Sequence, residues 1–371
     1  MNPATRSESI NRMKRLIICN TYYQLILAVQ MRQTMFRGDV CDLWLSDHSQ
    51  NADLVAQRIQ SLGIFSHTEY LTTKANTYQN SVFQDISEVI RCNFGKVPPM
   101  EIDLYDEIVF YNVSLKLYQI QDFYQQIGHV TKWSLMEEGI FSYSTDFACG
   151  NRVKLTRKIR KLTGRGDLLR MARQYYCTNP ELKTEKSGLE VIRIPSDAAS
   201  LSALKDVLNA IFHVDPGLLC FPQKYIYFAS SADIDGNPYG ETEFVLRLAR
   251  ELGKENLLVK MHPRDTRSVY EDAGISVTRD SSVPWEVIQM NLDLSRKTLL
   301  TIHSGAFISI STMMDSDVKG YLLFPFIQNG DGAFQTRSGR IGEMLERIHG
   351  CGRCRNISVL QPDRFEDMKN G

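Results

Sequence analysis

The sequence has no long apolar run, no surplus of charge of either sign, and no internal repeat or low-complexity tract. Its longest apolar stretch, around residues 25–29, is far short of the roughly 20 residues that cross a bilayer. Residues 1–13 are polar and carry no apolar core of signal-peptide length. A cytoplasmic protein is therefore expected, meeting membranes at most peripherally, at the inner face. Basic and acidic residues balance at 43 each, so no overall field argues for a nucleic-acid partner, and none is expected. The 8 cysteines are scattered, mostly in apolar surroundings, which suits a reducing compartment better than a disulfide framework. One close pair, Cys351 and Cys354 with His349 upstream, lacks the second ligand pair of a structural zinc site. No metal is expected there.

What is present is a chain of 371 residues, 43% apolar and 23% charged, long enough for two domains with substantial cores. Short buried-strand runs at residues 15–19, 42–46, 107–111 and 131–136 alternate with helical spacing at 23–36, 52–62, 82–92 and 115–127. A second alternating set follows. Strands are expected at 224–229, 257–261, 299–302 and 321–324, with helices at 241–252, 284–290 and 306–314. Pro195-Ser-Asp197 reads as a helix start between the sets. The fold class is thus α/β, with a parallel doubly wound sheet in each domain, residues 1–195 and 196–371.

Residues 152–173 are of a different kind. Nine cations (Arg152, Lys154, Arg157, Lys158, Arg160, Lys161, Arg165, Arg170 and Arg173) face one acid, Asp167, and Val153, Leu155, Ile159 and Leu162 form a thin apolar stripe. Such a helix suits peripheral contact with an anionic membrane or a phosphorylated glycolipid. A solvated connector or an oligomer contact, such as a homodimer, fits equally well.

Four polar clusters each follow a predicted strand: Glu137-Glu138-Gly139, Ser230-Ser231-Ala232-Asp233, Lys260 through Arg264, and His303-Ser304-Gly305. Parallel sheets bind ligands at the carboxyl ends of their strands, and two such sheets facing each other line one cleft. Ser304 and Gly305 stand at a strand-to-helix turn, where backbone N–H groups and the helix dipole favour a phosphate. His262 lies between Lys260 and Arg264, ahead of Pro263, and an imidazole there can protonate or hydrogen-bond a departing phosphate oxygen. His303 suits a packed histidine as well as a site. Asp233, or Glu137 and Glu138, can supply a general base. Asp233-Ile-Asp235 also looks like a metal-binding acidic pair, but the next residues read as a plain turn. Phosphate held by a helix end, Lys and His needs no cation, so no cofactor is expected.

On these residues the chain resembles the bacterial sialyltransferases of glycosyltransferase family 52, which have the two-domain GT-B fold. Residues 16–24 look like the family's opening strand and turn, Glu137-Glu138-Gly139 its acidic-acidic-Gly motif, and His262-Pro263 its His-Pro motif. Ser304-Gly305 falls where the family has its phosphate-binding serine. The resemblance implies that Asp233 is the general base and His262 the general acid on a CMP phosphate. Related sialyltransferases instead take the base from the first acid of the acidic-acidic-Gly motif, here Glu137. In those relatives a Lys-x-His-Pro and a Pro-aromatic-Glu contact the nucleotide, which matches Lys260 and Pro284-Trp285-Glu286, so Glu286 would hold the ribose. The chain departs from the pattern in carrying Glu-Glu-Gly for Asp-Asp-Gly and His303 beside Ser304 for a second hydroxyl residue.

The expected function is an inverting, metal-independent transfer of sialic acid from a CMP-linked donor to a terminal galactoside of a surface glycolipid or polysaccharide. Ser231, Lys260, Pro263, Arg264, Glu286, Ser304 and Gly305 would bind the nucleotide. The alternatives are a transferase of the same fold using a UDP-hexose or another CMP-linked keto-sugar, and a non-catalytic protein that binds anionic glycans.

Overall fold

The computed structural model describes residues 12–72, 90, 94, 97, 99–143, 151–183, 188–230, 232–233, 239–262, 264–279 and 282–370, with the side chains of 151–154, 218 and 370 excepted. The expected helix at 82–92 lies outside the described residues apart from Ile90. Two compact units form. The first comprises residues 1–136, 148–177 and 188–195, the second residues 137–147, 178–187 and 196–371. Residues 137–147 and 178–187, which strand periodicity assigns to the N-terminal domain, thus group with the second unit. The cause is local: the 137–143 loop bonds to Thr178 and to a serine of the second unit, described below.

In the first unit seven parallel strands run in the order β3-β2-β1-β4-β5-β6-β7. They are β1 Lys14–Cys19, β2 Val40–Ser46, β3 His67–Leu71, β4 Glu107–Phe110, β5 Lys132–Met136, β6 Gln174–Cys177 and β7 Glu190–Arg193. Among the described residues its helices include α1 Tyr22–Gln33, α2 Ala52–Ser61, α3 Leu115–Gln126, α4 Asn151–Leu162 and the single turn α5 Leu168–Met171. Central strands such as β1 and β4 are mostly apolar and buried on both faces, as parallel strands covered by helices must be, and the buried charges at their starts, Arg15 and Glu107, pair with each other. Thr21 and Ser114 cap α1 and α3 by accepting from the backbone N–H of Gln24 and Leu117.

The second unit repeats the plan with six parallel strands in the order β10-β9-β8-β11-β12-β13. These are β8 Tyr225–Phe228, β9 Leu257–Lys260, β10 Ser276–Thr278, β11 Thr298–Thr301, β12 Lys319–Leu322 and β13 Ile357–Val359. Its helices are α6 Ala198–Phe212, α7 Glu241–Leu252, α8 Val269–Asp272, α9 Trp285–Asn291, α10 Ala306–Met314, α11 Gly332–Gly350 and α12 Phe365–Asn370. The core packs Tyr227, Val245, Leu248, Val259 and Leu300 around the sheet. Asp197 caps α6 from outside by accepting from Ser200 N–H, as its sequence position predicts. Strands β3, β7, β10 and β13 escape periodicity as short, partly exposed strands at sheet edges, and the interior strand β6 escapes it as well, being only four residues long.

In both sheets the chain order reverses beside the first strand, between β1 and β4 and between β8 and β11. That is the topological switch point at which doubly wound sheets take up ligands. Among the described residues no helix is long and apolar enough to cross a membrane.

The basic segment is not uniformly solvated. Arg160 is fully buried, donates to Asp122, Gln121 and the Gly166 carbonyl, and lies over the Tyr118 ring. Arg157 pairs with Asp167 and Arg165 with Asp122. Counting acids within 152–173 alone misses Asp122, which α3 supplies. The leucines of the expected stripe point the other way, Leu155 being 47% and Leu162 86% exposed.

Candidate functional site

Strand register sets the site in the second unit. Thr278 pairs with Lys260, Lys260 with Phe228, Phe228 with Thr301 and Thr301 with Leu322, so these strands stop in one line. The chain leaving that line carries Lys260 and His262 from β9, Ser230 and Asp233 after β8, and His303 through Gly305 after β11. Neighbouring strands lie about 4.8 Å apart, so the loops after β9 and β11 emerge about 10 Å from each other with β8 between them.

Thr301 organises the centre of the edge. Its buried hydroxyl donates to the Phe228 carbonyl at 3.0 Å and accepts from Ser304 N–H at 2.9 Å, locking the β8 and β11 ends together. The chain then enters α10 through Gly305, which brings no side-chain cap of its own, while Ser304 Oγ accepts from Ala306 N–H at 3.4 Å, the first N–H of the helix. Gly305 has an ordinary φ of −83°, and an added Cβ would meet Phe141 and Ile140 at 3.4 to 3.6 Å. Backbone conformation therefore does not require glycine at 305.

Glycine is required at 139. Gly139 has φ +69°, and a Cβ there would stand 3.0 Å from the Ser309 hydroxyl. The same hydroxyl accepts from Ile140 N–H at 3.2 Å. The acidic-acidic-Gly loop is thus seated on the first turns of α10, next to Ser304 and Gly305.

The two acids of that loop differ. Glu137 is buried, and its Oε2 accepts from Tyr143 Oη at 2.6 Å, Thr178 N–H at 2.8 Å and Thr178 Oγ1 at 3.0 Å. It ties the loop down. Glu138 is half-buried, and burial pushes its pKa up to about 7, which poises it for proton exchange near neutrality.

His262 is half-buried, and its Nδ1 accepts from Arg264 N–H at 3.2 Å. In the neutral ring the proton then sits on Nε2, leaving an N–H donor on the opposite edge. Arg264 is exposed. Glu286, in the first turn of α9, has its pKa raised by burial, a shift reduced first by a backbone hydrogen bond and then by the charge of Lys260. Trp285 beside it packs edge-on against Phe228, ring centroids 4.7 Å apart.

Asp233 is held by Thr242, which donates to Oδ2 at 2.6 Å, and by Arg267 at 3.6 Å. Arg267 is itself clamped by Asp265 through both nitrogens. Ser231, Pro263 and Asp235 lie outside the described residues. His303 is a packed residue. It is buried, its Nε2 meets Ser338 Oγ at 2.8 Å, and burial, followed by the charge of Arg337, pushes its pKa down to about 3.

Sequence alone gives no hint of Glu241. This buried acid accepts from Tyr227, from both the N–H and the hydroxyl of Ser230, and from Tyr239, and burial raises its pKa. It fixes the loop after β8. Its only signal is an acid in the first turn of a helix, which is commonplace. Nearby, α7 and the segment after β12 enclose a cleft of about 370 Å³ lined by Tyr239, Glu243, Arg247, Phe326, Gln328 and Asn329. It contains none of the residues singled out from sequence. His349 places Nε2 2.9 Å from the Ile357 carbonyl and 3.2 Å from that of Cys354, so it serves the turn after α11. Among the described residues no group of three His, Cys, Asp or Glu side chains could hold a metal ion.

No family model matches the chain, and no curated protein matches it. Solved structures do. The α/β-galactoside α-2,3-sialyltransferase of the luminous marine bacterium Photobacterium phosphoreum is 10% identical with a TM-score of 0.51, over 94% of this chain and 99% of that one. The UDP-GlcNAc 2-epimerase of Methanocaldococcus jannaschii, in complex with UDP-GlcNAc and UDP, is 11% identical with a TM-score of 0.54, over 97% and 93%. At such identities the likeness is one of fold, and the chain has the α/β fold shared by GT-B glycosyltransferases and nucleotide-sugar epimerases.

Proposed function

We propose that the chain is an inverting glycosyltransferase that takes sialic acid from a CMP-linked donor and passes it to a galactoside. The observation that carries this reading is the carboxyl edge of the second sheet. There Lys260 and His262, Ser304 and the start of α10 flank the switch point, a grouping suited to a phosphate. Motif resemblance favours sialic acid, while the fold itself is shared with both a galactoside sialyltransferase and a UDP-GlcNAc 2-epimerase.

In the reaction a carboxylate removes the proton from an acceptor hydroxyl. Its oxygen bonds to the anomeric carbon, the bond from that carbon to the phosphate oxygen breaks, and the electron pair leaves with CMP. His262 Nε2–H and Lys260 stabilise the departing oxygen. Glu286 suits the ribose hydroxyls. For the base, Glu138 is the better of the two candidates. Asp233 is engaged by Thr242 and Arg267, whereas Glu138 lies on the loop seated against α10 and, with a pKa of about 7, can take up a proton once it is ionised near neutral pH. The neutral amides and hydroxyls at the first sheet's switch point suit a sugar acceptor.

The test is nucleotide release from CMP-sialic acid and from UDP-GlcNAc, each with and without lactose. CMP release stimulated by lactose is expected, rising with pH through about 7 as Glu138 loses its proton. Glu138→Gln should flatten that rise and Asp233→Asn should leave its position unchanged. Turnover of UDP-GlcNAc alone, to UDP or to an epimer, would overturn the reading.

A further inference from the structure

We propose that the outward face of α4 docks on an anionic lipid bilayer. The helix is inside out for a surface helix of a globular protein. Among its described side chains the buried ones are polar: Thr156 and Arg160, with Arg160 spent on Asp122, Gln121 and Gly166. Its outer side carries Leu155 and Leu162, seven residues apart and therefore on one stripe, at 47% and 86% exposure. Exposed Lys158 and Lys161 stand beside them, and exposed Met171, Arg170 and Arg173 follow on the same chain segment.

The charge is of one sign. Asp167, the segment's only acid, is held by Arg157, so nothing within the segment neutralises Lys158 and Lys161. Leucines that reach the acyl boundary while lysines stay among lipid phosphates satisfy both features at once. A second copy of this chain fits less well. A two-fold contact through this face would set the lysines of one copy against those of the other. Nucleic acid would use the lysines and leave the leucines in water. The inference does not depend on which sugar is transferred.

Flotation with vesicles of phosphatidylcholine alone, and with about a third phosphatidylglycerol, tests it. The whole chain should float only with the anionic vesicles, and added salt should release it. Lys158→Glu combined with Lys161→Glu should abolish binding, and Leu162→Ser should weaken it about tenfold. Affinity for CMP, measured on the same variants, should not change, which separates this proposal from the catalytic one. Equal flotation with neutral vesicles, flotation untouched by these substitutions, or lipid-free dimerisation that Leu162→Ser abolishes would each overturn it.

Discussion

The two sheets of this protein repeat one topology and finish it in different chemistry. At the first switch point, Asn20 N–H donates to Gln24 and the Asn20 amide to Ser46, whose hydroxyl meets His48 Nδ1 at 2.8 Å. At the second, Lys260, His262 and the first turn of α10 gather positive charge and N–H donors. On the proposed reading the first set takes neutral hydroxyls and the second an anion. Topology decides where a doubly wound sheet can bind, and the residues just past each strand decide what.

Substitutions can break or sharpen that contrast. The largest expected effect is on turnover: His262→Ala should cost roughly 10²–10⁴ in the rate of donor release at saturating substrates. His48→Ala, its counterpart on the first sheet, should cost about tenfold or less in the same assay. Equal losses would mean that the two switch points share the chemistry.

Next in size is stability. Glu137→Ala removes the acceptor for Tyr143 and for both donors of Thr178, and should cost about 2–4 kcal/mol in urea unfolding. Glu138→Gln should behave oppositely. The folded state holds the Glu138 proton up to about pH 7, against an ordinary carboxyl value of 4.5. Its contribution to stability is therefore present at low pH and is lost as pH rises through that window. The glutamine variant should be the more stable protein at pH 8 and gain little at pH 4.

A smaller effect separates the two ligands. Ser304→Ala should raise the Kd for CMP about five- to tenfold, the worth of one hydrogen bond, without changing the KM for acceptor. Asn20→Ala should do the reverse, as read by calorimetry and initial rates. The least effect comes where the sheets are built alike. Thr21→Ala and Asp197→Ala each remove a helix cap and should each cost about 1 kcal/mol in thermal unfolding, with the CMP Kd unchanged.

Much of this architecture is written locally. Buried strands announce themselves as apolar runs, and Asp197 ahead of a helical period announces α6. Because a strand ends where its apolar run ends, the polar clusters beyond β5, β8, β9 and β11 are visible too. The long helix α11 is less visible because its buried positions alternate with polar ones, the edge strands β3, β7 and β10 because none of their residues is buried, and the buried strand β6 because it is a four-residue run opening on Gln174. His303 shows the limit of reading one position: only its neighbours Tyr239, Phe334 and Ser338 make it a packed ring.

The sequence by itself determined the α/β alternation, the helix start at Asp197 and the four strand-end clusters, because each depends on neighbours a few residues away. Tertiary structure alone decided that Glu137 is an anchor while Glu138 is available, that Glu241 and Thr301 brace the β8 and β11 ends, and that α4 turns its arginine inward and its leucines to water. Those outcomes rest on partners 11 to 73 residues distant, such as Ser230 for Glu241, Thr178 for Glu137, Asp122 for Arg160 and Phe228 for Thr301. Burial and pairing are properties of the folded surroundings, and no local pattern encodes which distant donor will reach a given carboxylate.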